Sequence, residues 1–266
     1  MADRLAQFES VQAVAISGSV MGGRGQENSD MDLYVIGTVP LEERKKLAAE
    51  RGFTRADFNL NYWDPGDEWF DAPTGIEVDV MFWSKDWLGE ELAKVIDRHE
   101  SAIGYTTCFW NTIRQAGILF DRDGWLTGLK EKAQIDYPEA LQIAIIEKNY
   151  PLLHSIIPAY THQLEKAVGR NDLVSVNHRF GAYLASYFDV LFALNRVLHP
   201  GEKRLISFAQ ENCDRLPEDM VKDFEYLLAP DETPGKAWLQ RLYQLNAALD
   251  VLMDACDFGA LTTKPD

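Results

Sequence analysis

Two aspartates, Asp30 and Asp32, stand one residue apart at the mouth of an apolar run, MDLYVIG (31–37), and a second acidic alternation, Glu77 and Asp79, interrupts IEVDVMF (76–82). Residues i and i+2 of a strand project from one face, so Asp30 and Asp32 point the same way, while Met31 and Leu33 face a core. Two carboxylates at that spacing repel each other and raise one pKa unless a cation lies between them. A hard divalent ion such as Mg²⁺ takes oxygen ligands and is commonly held by one or two carboxylates together with substrate phosphates. The residues upstream suit the phosphates: Gly18 lets backbone N–H groups approach an anion, and the Ser19 hydroxyl adds a donor. Arg24, among Gly22, Gly23 and Gly25, either neutralises phosphate charge or belongs to a loop that merely crosses between strands. A third carboxylate would help hold metal or take a proton from an attacking hydroxyl. Asp79, flanked by Val78 and Val80, is the preferred candidate, with Glu77 on the same face as the alternative.

These side chains need strands to carry them. Apolar alternation predicts strands at 11–17, 31–37, 55–63, 75–83 and 117–120, with a helix over 41–52 closed by Gly52. The Pro, Gly and Asp content of DPGDEWFDAPTG (64–75) predicts a loop, and Ser84 is placed to cap a helix over the residues that follow. From about Pro138 the apolar residues recur at helical spacing, giving candidate helices at 138–168, 172–198, 203–213, 217–229 and 235–256. The first is expected to break at Pro151 or Pro158, because proline removes a backbone donor. The expected fold class is therefore α+β: a mixed β-sheet domain over residues 1–125, then an all-helical domain over 126–266.

Composition narrows the partners. The chain has 266 residues, 46% of them hydrophobic, enough for a substantial core. With 42 acidic against 26 basic side chains the formal charge is −16, which repels nucleic acid and anionic lipid and favours a cationic or neutral partner. The three cysteines, Cys108, Cys213 and Cys256, have no zinc-site spacing. They read as reduced thiols, and with no targeting or membrane-spanning pattern the expected location is cytoplasmic.

The Gly-Ser pair at 18 and 19, the DMD at 30 to 32 between apolar neighbours and the later VDV at 78 to 80 resemble the signature of the nucleotidyltransferase superfamily named for polymerase beta. The resemblance covers roughly residues 11 to 83. Small members, including the aminoglycoside and lincosamide nucleotidyltransferases, follow such a domain with a helical one. The segment FGAYLASYFDVLFALNRVLHPGEKRL (180–205) also resembles a little-characterised bacterial family of such proteins.

What the resemblance implies is a mechanism. Mg²⁺ held by Asp30 and Asp32 bridges the triphosphate of ATP or another nucleoside triphosphate. Asp79 assists the metal or deprotonates the acceptor hydroxyl. The nucleoside monophosphate, with AMP the expected case, passes to that hydroxyl and pyrophosphate leaves. The expected acceptor is a small molecule such as an aminoglycoside-like antibiotic; the alternatives are a protein side chain and a non-catalytic nucleotide sensor on the same fold. His199, Lys203 and Arg204 concentrate positive charge beside a Pro-Gly turn. Lys203 is the best candidate there for a triphosphate contact, against the plain reading of dipole-stabilising residues at a helix end. The loop NYWDPGDEWFDAP (61–73) is read either as an aromatic and acidic grip on the acceptor or as a loop with its aromatics packed inward. Asp189, within an apolar helix, requires a partner.

Overall fold

The structure is a computed structural model that describes residues 1–17, 30–62, 64–229 and 233–261. The chain forms two compact units that interleave in sequence: Met1–Lys94 with Thr112–Ile135, and Val95–Asn111 with Asp136–Asp266.

In the first unit the elements are α1 (Ala2–Leu5), β1 (Val11–Ser17), β2 (Met31–Gly37), α2 (Leu41–Arg51), β3 (Phe53–Leu60), β4 (Gly66–Asp71), β5 (Glu77–Trp83) and α3 (Lys85–Ile96). After α4 (Cys108–Gln115) come β6 (Gly117–Asp121) and α5 (Trp125–Lys132). The strands build a six-stranded sheet in the order β3-β4-β5-β2-β1-β6. The β2–β5 pair is parallel and the others are antiparallel. One face is apolar: Leu33, Val35, Val78, Val80 and Trp69 join Leu47 and Ala48 of α2 in a single buried cluster. The alternation that puts Val78 and Val80 inward puts Asp79 on the other face. Ser84 accepts the Trp87 N–H at 3.1 Å and caps α3 as its position suggests.

β2 ends at Gly37, with φ +138°, where an added Cβ would lie 2.2 Å from the Ser10 carbonyl oxygen. Gly37→Ala is therefore expected to destabilise the chain by about 1–3 kcal/mol, the usual range for forcing a group into a filled site. A urea unfolding midpoint unchanged from the parent would contradict that close approach.

The segment 64–75, expected as a loop, contains β4. Its inward positions include Asp67 and Asp71, 1% and 3% exposed, so the strand lacks an apolar alternation. Ion pairs replace it. Asp67 accepts Arg44 Nη1 at 3.0 Å and the Asn59 N–H at 2.8 Å, and Asp71 takes Arg51 Nε at 2.6 Å. Tertiary pairing with β3 and β5 thus overrides the local turn composition.

The second unit carries α6 (Glu139–Leu153), α7 (Tyr160–Gly169), α8 (Leu173–Leu194), α9 (Leu205–Asn212), α10 (Met220–Leu227) and α11 (Lys236–Ala255). The expected 138–168 helix is divided between α6 and α7. Pro151 lies inside the last turns of α6, and the break contains Pro158. Aromatic packing centres on α8: Tyr187 meets Phe224 edge-on at 5.0 Å and Phe188 stacks on Phe224 at 5.2 Å. The fold class is α+β, a mixed sheet followed by a helical C-terminal region. Among the described residues no helix is long and apolar enough to cross a membrane.

Candidate functional site

Strand register assembles the acidic groups. Parallel pairing of β2 with β5 sets Asp32 opposite Asp79, and antiparallel pairing of β5 with β4 sets Asp79 opposite Glu68. Glu68 in turn faces Asp57 on β3, and the backbone of Ser17 on β1 pairs with Asp32. Directly opposed residues share a face, so Asp32, Asp79, Glu68 and Asp57 form a row across four strands, behind the apolar layer of Leu33, Val78, Val80 and Trp69. Asp30 is half-buried immediately before β2.

Negative charge accumulates around Asp79 in this row. Asp79 is pushed up to about 6, first by burial and then by the negative charges of Glu68, Asp32, Glu77 and Asp64. Glu77 enters as one of four acidic neighbours of Asp79, two residues along the same strand face. Two acids of β4 on the opposite face have cationic partners: Arg51 holds the Asp71 carboxyl below its usual range by hydrogen bonding. Asp67 is raised by burial, against the pull of the Asn59 N–H and Arg44.

Beside Asp79 lies a cavity of about 190 Å³ lined by Leu60, Tyr62, Asp64, Glu68 and Met81, among others. An adjoining hollow of about 610 Å³ is walled by Asp57, Leu60, Tyr62 and Glu68. Further along the acidic face the surface turns aromatic, with Tyr34 stacked on Trp83 at 4.4 Å and Trp87 at 5.4 Å from Trp83.

These donors fit a hard cation in kind. They are carboxylate oxygens on adjacent strands, and the raised Asp79 marks a surplus of negative charge that a divalent ion would offset. Among the described residues no three His, Cys, Asp or Glu side chains are already gathered as a ligand set, so solvent or phosphate oxygens would have to complete the coordination.

Of the residues singled out in the sequence, Asp32 and Asp79 are brought side by side, and Asp30 adjoins them. Gly18, Ser19 and Arg24 lie outside the described residues. Lys203 belongs to the second unit, exposed in the turn before α9. Its neighbour His199 is wholly buried, with Nδ1 accepting the Gly201 N–H at 3.2 Å and standing 3.4 Å from Cys108 Sγ. Burial pulls that imidazole down to about 4, so it is neutral at physiological pH and no phosphate-facing cation. Burial likewise pushes the Cys108 thiol up to about 12. Asp189 finds its partners in Thr106 and Asn149. In the 61–73 segment, Trp69 packs into the core while Asp64 and Glu68 line the cavity. Glu68 was legible as an acid but not as the cross-strand neighbour of Asp79. The signal for it is the alternation of Asp67, Trp69 and Asp71 inward against Glu68 and Phe70 outward.

No protein-family model matches the chain, and no curated protein matches it. Among solved structures, the chain is similar to the crystal structure of a nucleotidyltransferase-like protein from Exiguobacterium sibiricum 255-15, at 13% identity and a TM-score of 0.44, over 96% of this chain and 72% of that one.

Proposed function

We propose that this chain is a Mg²⁺-dependent nucleotidyltransferase that moves AMP from ATP to a hydroxyl of a small, cationic acceptor of the aminoglycoside kind and releases pyrophosphate. The observation that carries this reading is the in-register Asp32–Asp79 pair, extended by Glu68, on the face opposite the apolar core. Bound by Asp30 and Asp32, Mg²⁺ would offset phosphate charge and polarise the phosphoryl oxygens. Asp79 takes the acceptor proton. A carboxylate raised to about 6 is a stronger base than an ordinary one and is still ionised at neutral pH. Glu68, Asp57 and Asp64, around the two hollows, attract a cationic acceptor and orient its hydroxyl toward Asp79. Gly18, Ser19 and Arg24 are the proposed phosphate contacts.

The test is transfer of label from α-labelled ATP, with Mg²⁺, into an extract separated into small-molecule and protein fractions. Label in the small-molecule fraction is the expected result. Label confined to protein would favour a protein acceptor, and ATP binding without any transfer would overturn the enzymatic reading in favour of a sensor.

The pH profile follows from Asp79. In the metal-free chain the base is protonated below about pH 6, and Mg²⁺ beside it would lower that value, so kcat/KM should fall about tenfold per pH unit under a break below pH 6 and level off above it. Glu68→Gln removes a charge that raises Asp79 and should move the break to lower pH. A break at the same pH in both proteins would sink the assignment of Asp79 as the base.

A further inference from the structure

Nucleotidyl transfer requires a hydroxyl within reach of both the phosphorus and a carboxylate that can take its proton. The wall of the cavity at Asp79 contains a hydroxyl. Of its lining side chains, Leu60, Tyr62, Asp64, Asp67, Glu68, Asp79 and Met81, only Tyr62 bears a hydroxyl. Tyr62 also lines the adjoining hollow with Glu68 and Asp57, so it stands where the two meet. It lies on the short connection between the end of β3 at Leu60 and the start of β4 at Gly66. It is 82% exposed, so its ring is open to solvent and to a ligand entering the cavity. Phenols surrender a proton more readily than aliphatic alcohols, which suits a carboxylate acceptor.

We propose that Tyr62 is a self-modification site: its phenolic oxygen takes the nucleoside monophosphate from a bound nucleoside triphosphate. This rests on the nucleotidyltransferase reading above. The bond formed joins Tyr62 Oη to the α-phosphorus, the α–β phosphoanhydride bond breaks, pyrophosphate leaves, and the phenolic proton passes to the Asp79 carboxylate. No oxidant or reductant is involved. The product places a bulky anion where the two hollows meet, so the modified chain would have its acceptor side blocked and its acidic row further charged. Automodification would thus restrain the enzyme when acceptor is scarce.

The experiment incubates the full chain with Mg²⁺ and ATP labelled at the α or the γ position, with no acceptor, and then denatures it and maps labelled peptides by mass spectrometry. The expected result is label from the α position only, retained through denaturation, as one nucleoside monophosphate on the peptide containing Tyr62. The rate per chain should not depend on protein concentration, as a reaction within one molecule requires. Tyr62→Phe, which keeps the ring and removes the oxygen, should reduce labelling to background, and Asp79→Asn should do the same. Tyr62→Phe labelled like the parent would overturn the proposal. So would a parent chain that transfers label to a small-molecule acceptor but carries none itself, an outcome that leaves the nucleotidyltransferase reading standing. A chain that turns over no ATP with or without acceptor would overturn both.

Discussion

Asp32→Asn is expected to lower nucleotidyl transfer by about 10²–10³-fold, the scale on which one fixed electrostatic group counts at a charged transition state, while leaving thermal unfolding close to that of the parent. The substitution keeps the shape of the side chain and removes its charge. Asp32 is half-buried on the acidic face, whereas Leu33 beside it is 2% exposed and carries the packing. The loss should have a second signature. The Asp32 charge is among those that raise Asp79, so without Mg²⁺ the Asp79 carboxyl of the variant should titrate at a lower pH than that of the parent. Glu77→Gln is the informative contrast, because Glu77 also raises Asp79 yet pairs with Phe70 on β4, two residues away from the Asp32–Asp79 rung. It should shift the pH profile and retain most of the rate. If Asp32→Asn transferred α-label as well as the parent, or if Glu77→Gln alone abolished transfer, the working pair would have to be reassigned.

The largest stability effect is expected at Asp189→Ala, in the helical unit. Asp189 is 2% exposed. Its carboxyl accepts the Thr106 N–H at 3.1 Å, the Thr106 hydroxyl at 2.7 Å and Asn149 Nδ2 at 3.3 Å. Truncation leaves these buried donors without their acceptor, at roughly 1–3 kcal/mol for each group that finds no other partner. A total loss of about 3–5 kcal/mol places the variant in the severe tail of point mutations, and equilibrium urea unfolding measures it directly.

The same residue imposes a pH dependence whose sign is opposite to that of a salt-bridged carboxylate. Burial raises Asp189 from 3.8 to about 7, against the lowering effect of the two Thr106 hydrogen bonds. Between those values the folded chain binds a proton that the unfolded chain does not, so this group's contribution to stability falls as pH rises from about 4 to 7 and stays low above that. Asp189→Asn, which cannot ionise, should flatten that part of the stability profile. A slope unchanged by the substitution would show that another group is responsible.

How much of this was legible in the sequence differs by element. β1, β2 and β5 announce themselves through apolar positions such as Val14, Leu33, Val35, Val78 and Val80, and the same alternation exposes Asp32 and Asp79 on the opposite face. β4 was hidden because two of its inward positions are acids. Asp67 and Asp71 are tolerated in the interior through Arg44 and Arg51, 23 and 20 residues earlier on α2, together with the Asn59 N–H and the Thr74 hydroxyl, and the two ion pairs lie beyond any local window. With β4 unseen, the alignment of Glu68 with Asp79 was unreachable, since register is a property of paired strands. Asp189 was recognisable as a buried acid needing partners. Thr106 could not be named, because it is 83 residues away and on an unanticipated stretch before α4. The interruption between α6 and α7 falls at Pro158, while Pro151 is accommodated near the end of α6, where few backbone bonds remain to be lost.

The interleaving of the two units sets a timetable for synthesis. Residues 95–111 leave the ribosome before β6, the edge strand that pairs with β1 and adds the sixth strand to the sheet. Their own partners come far later: Thr106 needs Asp189, 83 residues downstream, and Cys108 meets His199 after 91. At roughly 5–20 residues per second, that interval lasts several seconds, during which the nascent chain carries Thr106 and Cys108 before Asp189 and His199 exist to meet them. A strand-first, helix-later order of assembly is therefore built into the gene's reading direction, and the 95–111 stretch is where a chaperone guarding the growing chain would be needed most.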